Sequence, residues 1–183
     1  MWPQLDQVPE RVLTRAARVR LAVFDIDGVF TDGRLWFTDD GREFKAFHVL
    51  DGLGIKLLAE AGVRTAIISS RFSPVVGRRA AELGIELVYQ DQDDKLSCFQ
   101  RILAALRLAT DQAAYTGDDL PDLPVLKRAG LAVTVANAHP MLVPHCHYRT
   151  HAPGGAGAVR EVCDLILHAQ GRLADIGRRF GHG

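Results

Sequence analysis

Two aspartates two residues apart, Asp25 and Asp27, follow directly on the apolar run Leu21-Ala22-Val23-Phe24. Carboxylates at that spacing, where a buried strand gives way to a loop, suit phosphoryl transfer. Asp25 can attack phosphorus and form an aspartyl-phosphate. Asp27 can protonate the leaving alkoxide and then deprotonate the water that resolves the intermediate. Three further pieces follow in order: Ser69-Ser70-Arg71, Lys95, and Gly117-Asp118-Asp119. The Ser69 hydroxyl and nearby backbone N–H groups are expected to bind phosphoryl oxygens. Lys95 supplies positive charge for the phosphate and for Asp25. An ionised carboxylate and a phosphate dianion repel, so a cation must bridge them. Mg²⁺, a hard ion that takes carboxylate, carbonyl and phosphate oxygens, is the natural choice. Its expected ligands are Asp25, the main-chain carbonyl of Asp27, and Asp118. Asp119 or Asp122 completes the shell through water or supports Lys95.

These residues need a scaffold that gathers them. The run 21–24 reads as a strand buried on both faces, residues 63–68 as a second, 85–89 as a third, 113–115 as the lead into a fourth, and 131–135 as a fifth. Between them lie helical patterns. Ser73-Pro74 opens one as N-cap and first helical residue, and Gly84 stops it. Leu96, Phe99, Ile102, Leu103 and Leu106 recur at helical spacing, which places Lys95 in the first turn. Val159, Val162, Cys163, Ile166 and Leu167 mark a last helix, and residues 11–19 a short leading one. Strands alternating with helices predict an α/β fold with a doubly wound parallel sheet. Ligands in such sheets bind beyond the carboxyl ends of the strands, where Asp25, Ser69 and Asp118 all fall. One domain spanning 1–183 is expected, with an N-terminal extension over 1–20 and a C-terminal tail over 174–183.

Residues 33–48 break the alternation. Arg34-Leu35-Trp36-Phe37-Thr38, Asp39-Asp40-Gly41 and Glu43-Phe44-Lys45-Ala46-Phe47 read as a β-hairpin with an Asp-Gly turn. A lone two-stranded ribbon is marginal in water. Trp36, Phe37, Phe44 and Phe47 therefore either fold down on their own domain or pair with copies from other subunits.

Composition excludes several classes. The formal net charge of the 183 residues is +0, so no basic field recruits nucleic acid. Hydrophobic residues make up 48%, yet no apolar stretch is long enough to span a bilayer. Residues 1–20 carry several charges and no continuous apolar core, so no secretory signal is expected. Cys98, Cys146 and Cys163 form no paired motif and read as thiols of a reducing compartment, so the expected location is the cytoplasm.

The remaining candidates are more ambiguous. His145-Cys146-His147 with His151 fits no common zinc-ligand spacing. Gly154-Gly155-Ala156-Gly157 lacks the Lys-Ser/Thr of a P-loop and reads as backbone passing close to the site. Asp51-Gly52-Leu53-Gly54 is helix-entry chemistry that places Asp51 near substrate, with His48 beside it in packing or substrate contact. Arg78 and Arg79 sit on the helix after Arg71, either as a solvated basic face or as contacts to a neighbouring subunit's site.

The chain resembles the haloacid dehalogenase superfamily of phosphohydrolases, in its capless branch, the 3-deoxy-D-manno-octulosonate 8-phosphate (KDO 8-phosphate) phosphatases. The likeness runs from Leu21 to Leu173. Asp25-Ile26-Asp27-Gly28-Val29-Phe30-Thr31 and Gly117-Asp118-Asp119-Leu120-Pro121-Asp122 are general to the superfamily. Phe47-His48-Val49-Leu50-Asp51-Gly52-Leu53-Gly54, Ala136-Asn137-Ala138-His139-Pro140 and Gly154-Gly155-Ala156-Gly157-Ala158-Val159-Arg160-Glu161 are specific to the branch. The resemblance implies Mg²⁺-dependent hydrolysis of an acidic sugar phosphate by a cytoplasmic homotetramer of the lipopolysaccharide pathway. In that assembly the hairpins join into a central barrel and neighbours close each site. Three positions depart from the pattern: Ser70 replaces the glycine of Thr-Gly-Arg, Leu50 stands for arginine, and Ala156 stands for arginine between glycines. Arg71 is kept, and its guanidinium suits a sugar-acid carboxylate; relatives acting on nine-carbon acid 9-phosphates tend to carry glutamate there. The alternatives are a nine-carbon acid 9-phosphate phosphatase, a catalytically weak module acting by oligomerisation or regulation, and a phosphomutase, for which the short hairpin offers too little cover.

Overall fold

The computed structural model describes Leu5 and residues 7–181. In chain order the elements are α1 (Glu10–Ala17), β1 (Leu21–Phe24), β2 (Trp36–Phe37), β3 (Glu43–Phe44), α2 (Val49–Glu60), β4 (Arg64–Ile68), α3 (Pro74–Leu83), β5 (Leu87–Tyr89), α4 (Lys95–Leu106), β6 (Ala113–Gly117), α5 (Leu123–Leu126), β7 (Leu131–Thr134), β8 (Tyr148–Arg149), α6 (Ala158–Ala169) and α7 (Leu173–Arg179). Six strands form one sheet in the order β5-β4-β1-β6-β7-β8, with every pairing parallel.

The apolar run of β1 is explained by its place in the middle. Ala22 and Phe24 enter a core that includes Val12, Ile55, Leu58, Val76, Val162 and Ile166, from α1, α2, α3 and α6. Leu21 and Val23 enter a second core on the opposite face, with Phe99 and Ile102 of α4 and Leu126 of α5. A strand buried on both faces has no position left for a polar side chain.

The strand order places a topological switch at β1. The chain moves outward through β4 and β5, then returns by α4 to lay β6 on the other side of β1. Register aligns Phe24 with both Ile67 and Thr116. The residues after β1 and β6 therefore emerge side by side in the crevice where such sheets bind ligands.

Local signals behave largely as read. Pro74 opens α3 and Gly84 ends it with a φ of 72°. Ser73 is extended, but its hydroxyl makes no capping bond. Three elements were not anticipated, the one-turn helix α5 among them. β8 adds a sixth, edge strand of two residues, and α7 occupies most of the expected tail, packing on α6. Residues 1–4 and 6 of the extension and 182–183 of the tail lie outside the described residues. No helix among the described residues is long and apolar enough to cross a membrane.

The hairpin is a separate two-stranded sheet, with Trp36 opposite Phe44 and Phe37 opposite Glu43. Gly41 turns it with a φ of 81°. Phe47 packs against the core beneath Arg79. Trp36, Phe37 and Phe44 stay more than half exposed.

Candidate active site

Asp25 follows β1 directly, and its N–H donates to the Thr116 carbonyl at 3.0 Å, which continues the β1–β6 ladder one residue further. The chain then turns sharply at Gly28, whose φ is 91°. A Cβ at Gly28 would fall 2.0 Å from Asp118 Oδ2, so glycine is required for the Asp25 and Asp118 loops to approach. Across the sheet edge, Lys95 is the first residue of α4, whose N-cap Asp94 accepts from the Ser97 N–H at 3.0 Å. Lys95 Nζ lies 2.9 Å from Asp25 Oδ2 and 2.7 Å from Asp122 Oδ1.

Asp25, Asp118 and Asp122 each bring a carboxylate oxygen within 4.8 Å of the others. Among the described residues this is the one such cluster of potential metal ligands. Three carboxylates face a single ammonium there, which leaves an excess of negative charge. Burial, then repulsion from Asp122, raises Asp25 to about 7 despite the opposing pull of Lys95. Burial, then the charges of Asp25 and Asp122, raises Asp118 to about 8. Burial works against the Lys95 ammonium, but Asp25 and Asp122 outweigh it and its pKa is raised. An all-oxygen cluster with surplus negative charge fits a hard divalent cation.

The two candidates left open for the outer shell separate clearly. Asp122 is fully buried and its oxygens are occupied: Oδ1 by Lys95 and the Tyr115 hydroxyl at 2.7 Å, Oδ2 by the N–H groups of Asp118 at 2.9 Å and Asp119 at 3.3 Å. It anchors Lys95 and the Asp118 loop. Asp119 is exposed and caps the short turn Leu120–Asp122 by accepting from the Leu120 N–H.

Asp27 lies at the mouth. Its carboxylate contacts Lys45 Nζ, and Arg71 Nε is 3.6 Å away. Ser69 follows the last residue of β4 and is buried, with its hydroxyl accepting from the Arg71 N–H at 3.2 Å. The Ser70 hydroxyl donates to the Gln92 carbonyl at 3.2 Å, so the side chain that replaces glycine is tied to the neighbouring loop. Arg71 is half-exposed and reaches Glu43 Oε1 at 3.3 Å.

Two assigned substrate contacts are placed elsewhere. Asp51 is 1% exposed and accepts from the Arg160 N–H at 2.8 Å, so it caps α6 from within the α2–α6 contact. Burial raises it to about 6. Val49 and Leu50 of the same turn are exposed, so Asp51 is the residue of that turn that faces α6. Arg79 stacks over Phe47 at 5.9 Å and pairs with Glu82 at 3.0 Å, contacts that engage its guanidinium within its own chain. His147 accepts from the Ala132 N–H, which ties the His145–His147 stretch to β7. The glycine loop does approach the site. Gly155 N–H donates to the Val29 carbonyl and Gly154 N–H to Asn137 Oδ1.

Tyr115, Glu43 and Lys45 belong to the site and were not picked out from sequence. Strand alternation puts Glu43 and Lys45 together on the face opposite Phe44, but it does not say what that face meets, and Tyr115 lies in a strand buried throughout.

Comparison with known proteins agrees with this geometry. The haloacid dehalogenase-like hydrolase family model matches residues 55–159. The 3-deoxy-D-manno-octulosonate 8-phosphate phosphatase KdsC of Salmonella typhi is 48% identical over 166 residues, covering 91% of this chain and 88% of its own. The chain belongs to this family of haloacid dehalogenase-like phosphatases. A probable yrbI family phosphatase from Pseudomonas syringae superposes with a TM-score of 0.93 at 51% identity, covering 96% of this chain and 99% of that one. The Moraxella catarrhalis KDO 8-phosphate phosphatase, solved with magnesium, phosphate and KDO, gives 0.91 at 41% identity, covering 92% and 97%. Within the family, the departures at Leu50 and Ala156 fall on exposed positions, apart from the buried carboxylate cluster.

Proposed function

We propose that this chain hydrolyses 3-deoxy-D-manno-octulosonate 8-phosphate to the free sugar acid and phosphate. The observation that carries the reading is the Asp25–Lys95 pair at the switch point beside Asp118, in a chain about half identical to phosphatases of that substrate. Asp25 attacks phosphorus. As the new Asp25 O–P bond forms, the bond to the sugar oxygen breaks and Asp27 delivers its proton to that oxygen. Asp27 then removes a proton from water, whose oxygen takes phosphorus from Asp25 and regenerates the carboxylate. Lys95, held by Asp122, orients the nucleophile and offsets the charge of the incoming dianion. Ser69 and the adjoining N–H groups receive phosphoryl oxygens. Mg²⁺ held by Asp25, Asp118 and the Asp27 carbonyl supplies the positive charge that lets a phosphate dianion approach a carboxylate.

Arg71, half-exposed at the mouth, is our choice to read the sugar-acid carboxylate. The exposed Trp36, Phe37 and Phe44 support a homotetramer built through the hairpin. The reading places the enzyme in the cytoplasm, supplying KDO for lipopolysaccharide. The test is hydrolysis of KDO 8-phosphate, nine-carbon acid 9-phosphates and hexose phosphates by the purified protein, with and without Mg²⁺. Preference for a nine-carbon acid would overturn the substrate, and no activity on any ester would overturn the enzyme.

A further inference from the structure

The hairpin reaches into the site through two side chains. Glu43 and Lys45 lie on the inward side of β3 and its continuation, while Phe44 between them faces out. The Lys45 side chain is 1% exposed, on a ribbon whose aromatic residues are mostly open. An ammonium is withdrawn from water at high cost unless it is paired. Lys45 Nζ contacts Asp27 Oδ1 and lies 3.3 Å from Glu43 Oε1. Arg71 closes the ring, 3.3 Å from the same Glu43 oxygen and 3.6 Å from Asp27 Oδ2. Two carboxyl groups and two cations alternate; with Asp27 ionised, its state once the proton has gone to the leaving group, this outer ring is formally neutral, unlike the inner cluster around Asp25. Its members therefore satisfy one another without an added cation.

The ring treats the two oxygens of Asp27 differently. Oδ1 is held by Lys45, whereas Arg71 Nε stands beyond hydrogen-bond range of Oδ2. Lys45 fixes Asp27 through Oδ1, and Oδ2, which Arg71 does not reach, is the oxygen placed to carry the proton to the leaving group and to take one back from water. The structure assigns Lys45 as a positioning residue for Asp27, so that the hairpin sets the geometry of the acid–base group. This inference rests on the role given to Asp27 above.

Leaving-group dependence tests it. A sugar alkoxide leaves poorly and needs its proton, whereas a nitrophenolate leaves without one. The quantity to compare is kcat/KM, which reports formation of the aspartyl-phosphate and not its hydrolysis, for KDO 8-phosphate and p-nitrophenyl phosphate. Lys45→Met should lower the value for the sugar phosphate about 10- to 100-fold, within the range that general-acid catalysis supplies, and leave the aryl ester within about threefold. Lys45→Arg should show the same selectivity with a smaller loss, and serves if Lys45→Met does not fold. Adding Lys45→Met to Asp27→Asn should cost nothing further on the sugar phosphate, because the group positioned is already gone. Equal losses on both esters, or additive losses in the double variant, would overturn the positioning role. If Asp27→Asn itself hits both esters equally in kcat/KM, the acid–base assignment fails, and the inference falls with it.

Discussion

Gly154 lies so close to Gly28 that a Cβ on Gly154 would sit 1.7 Å from the Gly28 carbonyl oxygen. The obstacle is backbone, so no side-chain rotation relieves it. Gly154→Ala must therefore push back the loop that carries Asp27 and faces Asp118. A displacement of about 1 Å at a reacting centre costs on the order of 10²-fold in rate. We expect that loss in kcat/KM with the helices retained by circular dichroism. Near-normal turnover in Gly154→Ala would show that the two loops adjust independently.

Asp122 and Tyr115 allow a graded test of the Lys95 anchor. Tyr115→Phe removes one of two donors on Asp122 Oδ1, and should cost about 1 kcal/mol in urea unfolding, with a modest loss of rate. Asp122→Ala leaves Lys95 and two main-chain N–H groups without their shared acceptor. Breaking a buried pair from one side costs about 3–5 kcal/mol, so this variant should lose both stability and activity. Equal effects of the two substitutions would deny Asp122 its central place.

Stability should depend on pH in a way that the metal reverses. Without a cation, burial holds Asp118 near about 8, Asp25 near about 7 and Asp51 near about 6, all above the ordinary 3.8. The folded protein then binds protons that the unfolded chain releases. The stabilisation is complete below the unfolded value and is lost as pH rises through the folded ones. In EDTA, Tm should fall from about pH 5.5 to about pH 8.5 more steeply than in Asp118→Asn. Mg²⁺ replaces the protons, so the rise in Tm that it causes should be larger at the alkaline end. A pH-independent Mg²⁺ effect would remove Asp118 from the ligand set.

The central strand and the site residues at its end were legible because burial on two faces leaves a continuous apolar run, and polar residues can appear only where that run stops. That rule puts Asp25, Ser69 and Asp118 just past β1, β4 and β6, where the sheet places them. Asp51 was misplaced because its burial depends on how α6 meets α2, a contact between segments a hundred residues apart that no local pattern encodes. Lys45 was missed for the same kind of reason: alternation puts it on one face of the hairpin, but only tertiary folding decides that this face meets Asp27. β8 has two residues at the sheet edge and no apolar run to announce it.

Assembly is open to direct measurement. Trp36 and Phe44 are cross-strand partners, and both are exposed. Light scattering should give a homotetramer, and Trp36→Ser with Phe37→Ser should shift it to smaller species. A wild-type monomer with full activity at low concentration would contradict assembly through the hairpin.

Covalent catalysis by Asp25 is the central claim, and trapping the intermediate tests it most directly. Asp27→Asn should still accept phosphate from an aryl ester, whose leaving group needs no proton, but should release it slowly for want of a base. Acid quenching of that variant with p-nitrophenyl phosphate and Mg²⁺, followed by mass spectrometry, should find one phosphoryl group on the peptide containing Asp25, and none in Asp27→Asn combined with Asp25→Asn. Phosphate on another residue, or turnover that persists in a pure Asp25→Asn preparation, would contradict the account.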